Sequence, residues 1–213
     1  PLDADTVLSP GSAQAALYAA GAGVAAVDLV CNGELRRAFC AVRPPGHHAT
    51  ADIAMGFCLF NNIAVAAAHA LERYGLMRVS IVDFDVHHGN GTQAIFEQEP
   101  RVQYLSSHQL PLFPDTGLRR ERGVGNIVNI PLAPGTGSAR FCEAWRERIL
   151  PEIDAFAPQL VLVSAGFDAH RLDPLAQLEL EAEDFAWLTR ELVVLADRHA
   201  EGRLVSMLEG GYD

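Results

Sequence analysis

At 213 residues, 49% of them hydrophobic and 20% charged, the chain has the size and balance of one globular domain, which excludes a disordered polymer. Sixteen basic residues face 27 acidic ones, and the resulting charge of −11 repels phosphate backbones, excludes nucleic acid as a direct ligand and favours a cationic partner or substrate. Every basic residue is Arg, the mark of a GC-rich, bacterial coding background.

In chain order, Ala13 to Val30 is an Ala- and Gly-rich helix that packs closely on a sheet. Ala38 to Arg43 reads as a strand and Ile63 to Tyr74 as an Ala-rich helix. Val79 to Asp83 is a continuous β-branched run, as a buried parallel strand should be. Thr92 to Gln98 is helical, and Val102 to Ser106 and Ile127 to Ile130 are strands. Pro111 to Gly125 is a Pro-, Gly- and Arg-rich loop whose length suggests function. Ser138 to Phe156 reads as one helix, with Phe141, Trp145, Ile149, Ile153 and Phe156 on one stripe. Leu160 to Ser164 is a buried strand, Glu181 to Ala200 a long amphipathic helix and Leu204 to Leu208 the last strand. Strands alternating with helices give an α/β domain with a mainly parallel sheet.

The four cysteines, Cys31, Cys40, Cys58 and Cys142, show no C-x-x-C spacing and read as buried, reduced thiols of a cytoplasmic protein. No run of about 18 uninterrupted apolar residues is present, so no membrane partner is expected; Ala13 to Val30 comes nearest and carries Asp28. The chain does not start with Met and stops directly after Glu209-Gly210-Gly211-Tyr212, so residues 1–213 read as a single domain incomplete at both termini.

The polar residues are placed tellingly. Arg43 to His48, Asp83 to Gly91, Ser164 to Asp168 and Glu209 to Tyr212 each follow a predicted parallel strand. Open α/β sheets build their sites at that edge. In extended backbone, residues two apart point to one side, so Asp85 and His87 can reach one metal ion, and Asp168 can supply a third ligand from another strand end. Two carboxylates and one imidazole around zinc leave a position for water, as in a catalytic site. The adjacent His47 and His48 are ligands, acid/base groups or ordinary histidines, and the neighbouring cluster favours acid/base work. His69 and His199 read as structural, whereas His108 and His170 flank the site and are open to either reading.

Together R-P-P-G-H-H-A, G-F-C-L-F-N-N, D-F-D-V-H-H-G-N-G-T-Q, F-P-D-T-G, S-A-G-F-D-A-H-x-x-D-P-L and L-E-G-G-Y-D resemble the zinc-dependent histone deacetylase superfamily. That superfamily includes acetylpolyamine amidohydrolases and acetoin-utilisation proteins, and the detail is similar to its class II branch. The resemblance runs from about Asp5 to the last residue. It implies a three-layer α/β/α fold of the arginase/deacetylase type, here a single catalytic domain incomplete at both ends. It implies one Zn2+ held by Asp85, His87 and Asp168, and a structural monovalent cation such as K+ on main-chain oxygens near Asp83, Asp85 and His87, with Ser106 nearby. His47 and His48 would be the acid/base pair, hydrogen-bonded to Asp83 and Asn90 respectively. Tyr212 would donate its hydroxyl to the substrate carbonyl, and Gly56 would accept the substrate amide. Phe57 and Phe113 would wall an acyl-lysine channel, with Gly211 and its neighbouring glycine on the floor and Asp5 at the rim. The implied reaction is hydrolysis of an acylated lysine peptide or a small acylated amine.

Some relatives carry Asp where this chain has Asn90, and polyamine-preferring relatives can carry an acidic gate where it has Leu175. The apolar gate favours acyl-lysine over acetylpolyamine. An arginase-like dimanganese site would need further carboxylates, but His88, Gly89, Ala169 and His170 follow the ligands instead. A catalytically inactive acyl-lysine-binding module would have lost a ligand or the tyrosine, and neither is missing. Oligomeric state is not legible.

Overall fold

Short apolar runs form the strands, and apolar stripes three and four residues apart form the helices. The computed structural model describes residues 2 and 5–213. The order is α1 (Ser12–Cys31), β1 (Arg37–Cys40), α2 (Asn62–Tyr74), β2 (Val79–Asp83), α3 (Asn90–Phe96), β3 (Val102–Gln109), β4 (Ile127–Leu132), α4 (Ser138–Ala144), a π-helical turn (Trp145–Ile149), α5 (Leu150–Phe156), β5 (Leu160–Ala165), α6 (Ala182–His199) and β6 (Leu204–Leu208). The six strands form one sheet in the order β1-β6-β5-β2-β3-β4, and every pairing is parallel.

Strand alternation sorts the core into two layers. Val79, Ile81, Leu160 and Leu162 join α1 and α2 residues such as Val27, Ile63 and Ala67 on one face. Val82, Val161 and Val163 join Trp145, Ile149, Ile153, Leu188 and Leu192 on the other. Each fully buried Val, Ile or Leu contributes about 1.5–3 kcal/mol. The expected three-layer α/β/α architecture is therefore the observed one. By length and composition α1 is apolar enough to cross a membrane. Here its Ala16, Ala19, Gly23 and Val27 face is buried, and its one charge, Asp28, accepts from Tyr74 and pairs with His69 of α2.

Several boundaries differ from the sequence expectation. β1 ends at Cys40 rather than Arg43: the Val42 N–H bonds back to the Cys40 carbonyl in a tight turn, and the exposed Arg43 sends its guanidinium to the Glu209 carbonyl. The expected helix over 138–156 is divided by the π turn, where Leu150 donates to Trp145 five residues back. Pro151 explains it: its ring cannot fit against a normal α-helical carbonyl and supplies no donor. β3 runs on to Gln109 through buried Ser107 and His108, polar residues that hid it from an apolar pattern. α3 begins at Asn90 and ends at Phe96, two residues earlier at each end than expected. Of the four free thiols, Cys40 and Cys58 are buried, and Cys31 and Cys142 are only half-buried.

Candidate active site

β2 and β5 lie side by side at the centre of the sheet, and the strands following each lie on opposite sides. Such a switch point leaves a crevice at the C-terminal strand ends. The extended alternation continues past β2: Phe84 and Val86 enter the core, and Asp83, Asp85 and His87 face the crevice groups. Asp168 comes from the loop after β5. Its Oδ2 lies 3.1 Å from His87 Nδ1, and its Oδ1 accepts from the Val86 N–H at 2.9 Å. Asp85 Oδ1 lies 3.1 Å from the same His87 Nδ1, and its Oδ2 accepts from the Gly210 N–H at 2.8 Å. One ligand atom from each of Asp85, His87 and Asp168 lies within 4.8 Å of the others.

These residues fit a metal ion. Asp85 and Asp168 are both 1% exposed, and carboxylates removed from water need a compensating cation. Burial, and then the Asp85 charge, raise the Asp168 carboxyl to about 7. Burial opposes a charge on His87, but its bonds to Asp168 and Asp85 outweigh that and raise it to about 10. Buried together, these groups call for a positive charge, which a metal cation would supply. Space is reserved as well: a Cβ at Gly210 would collide with Asp168, and one at Gly166 with Asp85. The same Asp85, His87 and Asp168 donors suit a transition metal, by virtue of the imidazole.

The two adjacent histidines differ in environment. His47 Nδ1 lies 3.0 Å from Asp83 Oδ2, which also accepts from Tyr104. Burial disfavours a charge on His47, but the carboxylates of Asp83, Asp85 and Glu209 outweigh it and raise its pKa well above the usual value. His48 Nδ1 lies 2.9 Å from Asn90 Oδ1. Burial, and then the neighbouring His47 charge, hold His48 well below its usual value. Their rings are 4.1 Å apart, so two imidazoles pushed in opposite directions sit side by side.

Above these groups is a cavity of about 210 Å³ lined by His47, His48 and His87 below and by Asp5, Pro45, Gly56, Phe57, Leu112, Phe113, Leu175 and Tyr212 around. Gly56 must be glycine, since a Cβ there would lie 2.6 Å from His48 Cδ2, and its φ is +56°. Its carbonyl also accepts from the Cys58 thiol at 3.3 Å. The Phe57 ring packs edge-on at 6.0 Å from Tyr212. Burial and the Asp85 and Asp168 charges push the Tyr212 hydroxyl upward, so it is a proton donor at neutral pH.

One expected lining residue is displaced. Gly210, not Gly211, lines the cavity; Gly211 has φ +130° and lies near Phe167. The Gly210 N–H is tied to Asp85, so the chain turns away at Gly211 before Tyr212 returns to the cavity. Leu112 joins the lining from the Pro111–Gly125 loop, next to the expected wall residue Phe113. Glu209, in the L-E-G-G-Y-D run, has a role that its motif does not reveal. It is fully buried and accepts from Gly46 and His47 N–H groups and from Ser164. Burial raises it to about 7. His108 is structural: it bonds Ser106 and the Gly117 carbonyl, and burial holds it at about 3. His170 accepts from Leu172 N–H and lies outside the cavity lining. His199 pairs with Asp154.

Known proteins share this arrangement of sequence and fold. The model of the histone deacetylase domain matches residues 2–213. A probable deacetylase of Archaeoglobus fulgidus is 44% identical over 99% of this chain and 60% of its own length. A histone deacetylase-like amidohydrolase of Pseudomonas aeruginosa is also 44% identical, over 99% of this chain and 57% of its own length. The human polyamine deacetylase HDAC10 is 44% identical over 95% of this chain and 31% of its own length. The crystal structure of the HDA15 HD domain superposes with a TM-score of 0.94 at 41% identity, over 100% of this chain and 61% of that one. The chain thus spans about 60% of the length of the first two curated relatives. With its whole described length matched in sequence and in fold, the chain belongs to the histone deacetylase domain family.

Proposed function

We propose that this chain carries the catalytic centre of a zinc-dependent amidohydrolase that removes acetyl or other acyl groups from lysine side chains or related amines. The observation that carries the reading is the buried Asp85–His87–Asp168 group at the floor of a cavity, beside two imidazoles whose Nδ1 atoms are held by Asp83 and Asn90. Asp85, His87 and Asp168 would hold the zinc, which when bound supplies a Lewis acid that polarises the amide carbonyl and acidifies water. The apolar walls of Phe57, Phe113, Leu112 and Leu175 take the methylene chain of an acylated amine and keep bulk water from it.

His48 is the base. Its Nδ1 is engaged by Asn90, which leaves Nε2 to accept a proton from the attacking water. His47 holds a proton against Asp83 and keeps positive charge beside the developing oxyanion. The Tyr212 hydroxyl donates to that oxyanion. An imidazolium of the pair then protonates the leaving amine, so the products are a carboxylate and a free amine. Gly56 orients the substrate amide through its carbonyl. A monovalent cation on main-chain oxygens near Asp83, Asp85 and His87 belongs to the same proposal.

The identity to a polyamine deacetylase favours a second substrate class, acetylpolyamines. Leu175 argues against it, since an apolar gate attracts no second ammonium group. The test is a substrate panel on the full-length protein, with metal content measured alongside. One zinc per chain and faster turnover of acetyl-lysine peptide than of acetylspermidine is the expected result. Binding without turnover, or two manganese ions per chain, would overturn it.

A further inference from the structure

Asp173 lies on the loop after β5 and is 7% exposed. It bonds none of the Asp85, His87 and Asp168 groups. Its Oδ1 accepts from the Leu175 N–H at 3.0 Å and its Oδ2 from the Tyr212 N–H at 2.8 Å. Both donors belong to residues that line the cavity, one at the gate and one bearing the proposed oxyanion donor. The intervening Pro174 has no N–H and fixes the turn that brings Leu175 back to the carboxylate.

Tyr212 needs such an anchor. Gly210 and Gly211 precede it, and glycine is the least restrained backbone available. The Gly210 N–H is fixed by Asp85, but the chain then passes through Gly211 at φ +130°. The Asp173 bond fixes the backbone again on the far side of that glycine. Only a carboxylate can do both tasks. An amide in its place offers one acceptor and one donor, so one of the two N–H groups would face another N–H.

We propose that Asp173 is a positioning residue that ties the gate at Leu175 to Tyr212, so that one side chain sets both the channel mouth and the placement of the Tyr212 hydroxyl. The inference rests on the deacetylase reading through the role given there to Tyr212. Its test is a double-mutant cycle in the full-length zinc protein, with kcat and KM for an acetyl-lysine peptide measured for wild type, Asp173→Asn, Tyr212→Phe and the pair. Asp173→Asn should lower kcat about tenfold when Tyr212 is present and less than about twofold when its hydroxyl is already gone, with zinc content unchanged. Equal losses in both backgrounds would overturn the clamp and leave the deacetylase reading intact, because general loosening of the fold is additive. Full activity of Tyr212→Phe would instead overturn that reading, and this inference with it. Should Asp173→Asn fail to fold, amide hydrogen exchange on the wild type decides. Protection of the Tyr212 and Leu175 amides to a similar degree supports the clamp, and exchange of Tyr212 at the unprotected rate overturns it.

Discussion

At the floor of the cavity Asp85 and Asp168 are 1% exposed and Glu209 is fully buried, whereas at the rim Phe57, Phe113 and Leu175 are 38%, 42% and 42% exposed. The floor residues are tied to backbone N–H groups from other segments: Asp85 to Gly210, Asp168 to Val86, Glu209 to Gly46 and His47. The rim side chains are freer, although the Leu175 N–H is tied to Asp173. Phe57 takes a left-handed backbone at φ +68°, a conformation that costs a bulky residue about 1–2 kcal/mol, and its N–H rests on the Thr6 hydroxyl at 3.1 Å. Chemistry sits where geometry is over-determined, and substrate choice sits where side chains can change without disturbing a buried charge.

The contrast should appear as a gradient of effects. Asp168→Ala removes a ligand from the floor and leaves Asp85 and His87 without their partner. It should abolish both zinc retention and turnover, and metal analysis beside an acetyl-lysine assay checks it; retained zinc would break the comparison at its strongest point. Tyr212→Phe removes one oxyanion donor and should cost about a hundredfold in kcat with little change in KM. Asn90→Asp acts on one proton. A carboxylate beside His48 favours its imidazolium, so the His48 pKa, held down by burial and His47, should rise. Since the base works only when neutral, the acid limb of the pH–rate profile should move to higher pH. An unmoved limb would separate Asn90 from the base. At the rim, Leu175→Glu should lower KM for acetylspermidine severalfold, the modest scale of an exposed charge pair, and leave kcat nearly unchanged. A large fall in kcat would show that the rim is not independent of the floor.

The floor was legible in the sequence because its geometry is local. Asp85 and His87 stand two apart after the buried run Val79–Asp83, and strand alternation puts them together without further information. The pairings of His47 with Asp83 and His48 with Asn90 came from the resemblance, and the structure brings those atoms within 3.0 Å. Long-range anchors were not legible. Glu209 and Asp173 read as parts of motifs, since their donors come from distant segments that only the sheet brings near. The division of the helix over 138–156 was hidden because Phe141, Trp145, Ile149 and Ile153 are all buried as the stripe requires, while Pro151 alters the backbone beneath them. That only Gly210 of the two expected glycines lines the cavity was invisible for a related reason: two adjacent glycines look alike until one of them must touch a carboxylate.

The strand order also bears on how the chain is made. Among the described residues β1 has one sheet partner, β6, with Arg37 opposite Leu204. During synthesis from the N-terminus, β1 therefore waits beside α1 with an open edge until nearly the whole described chain has left the ribosome. β6 then has to enter between β1 and β5, closing the longest loop in the described sheet. An unpaired strand edge is a template for aggregation, and the β1 edge has no sheet partner among the described residues until residues 204–208 are in place. The segment that completes the sheet is also the one that delivers Glu209, Gly210 and Tyr212 to the cavity. The pairing that closes the described sheet and the assembly of the cavity floor thus depend on the same segment.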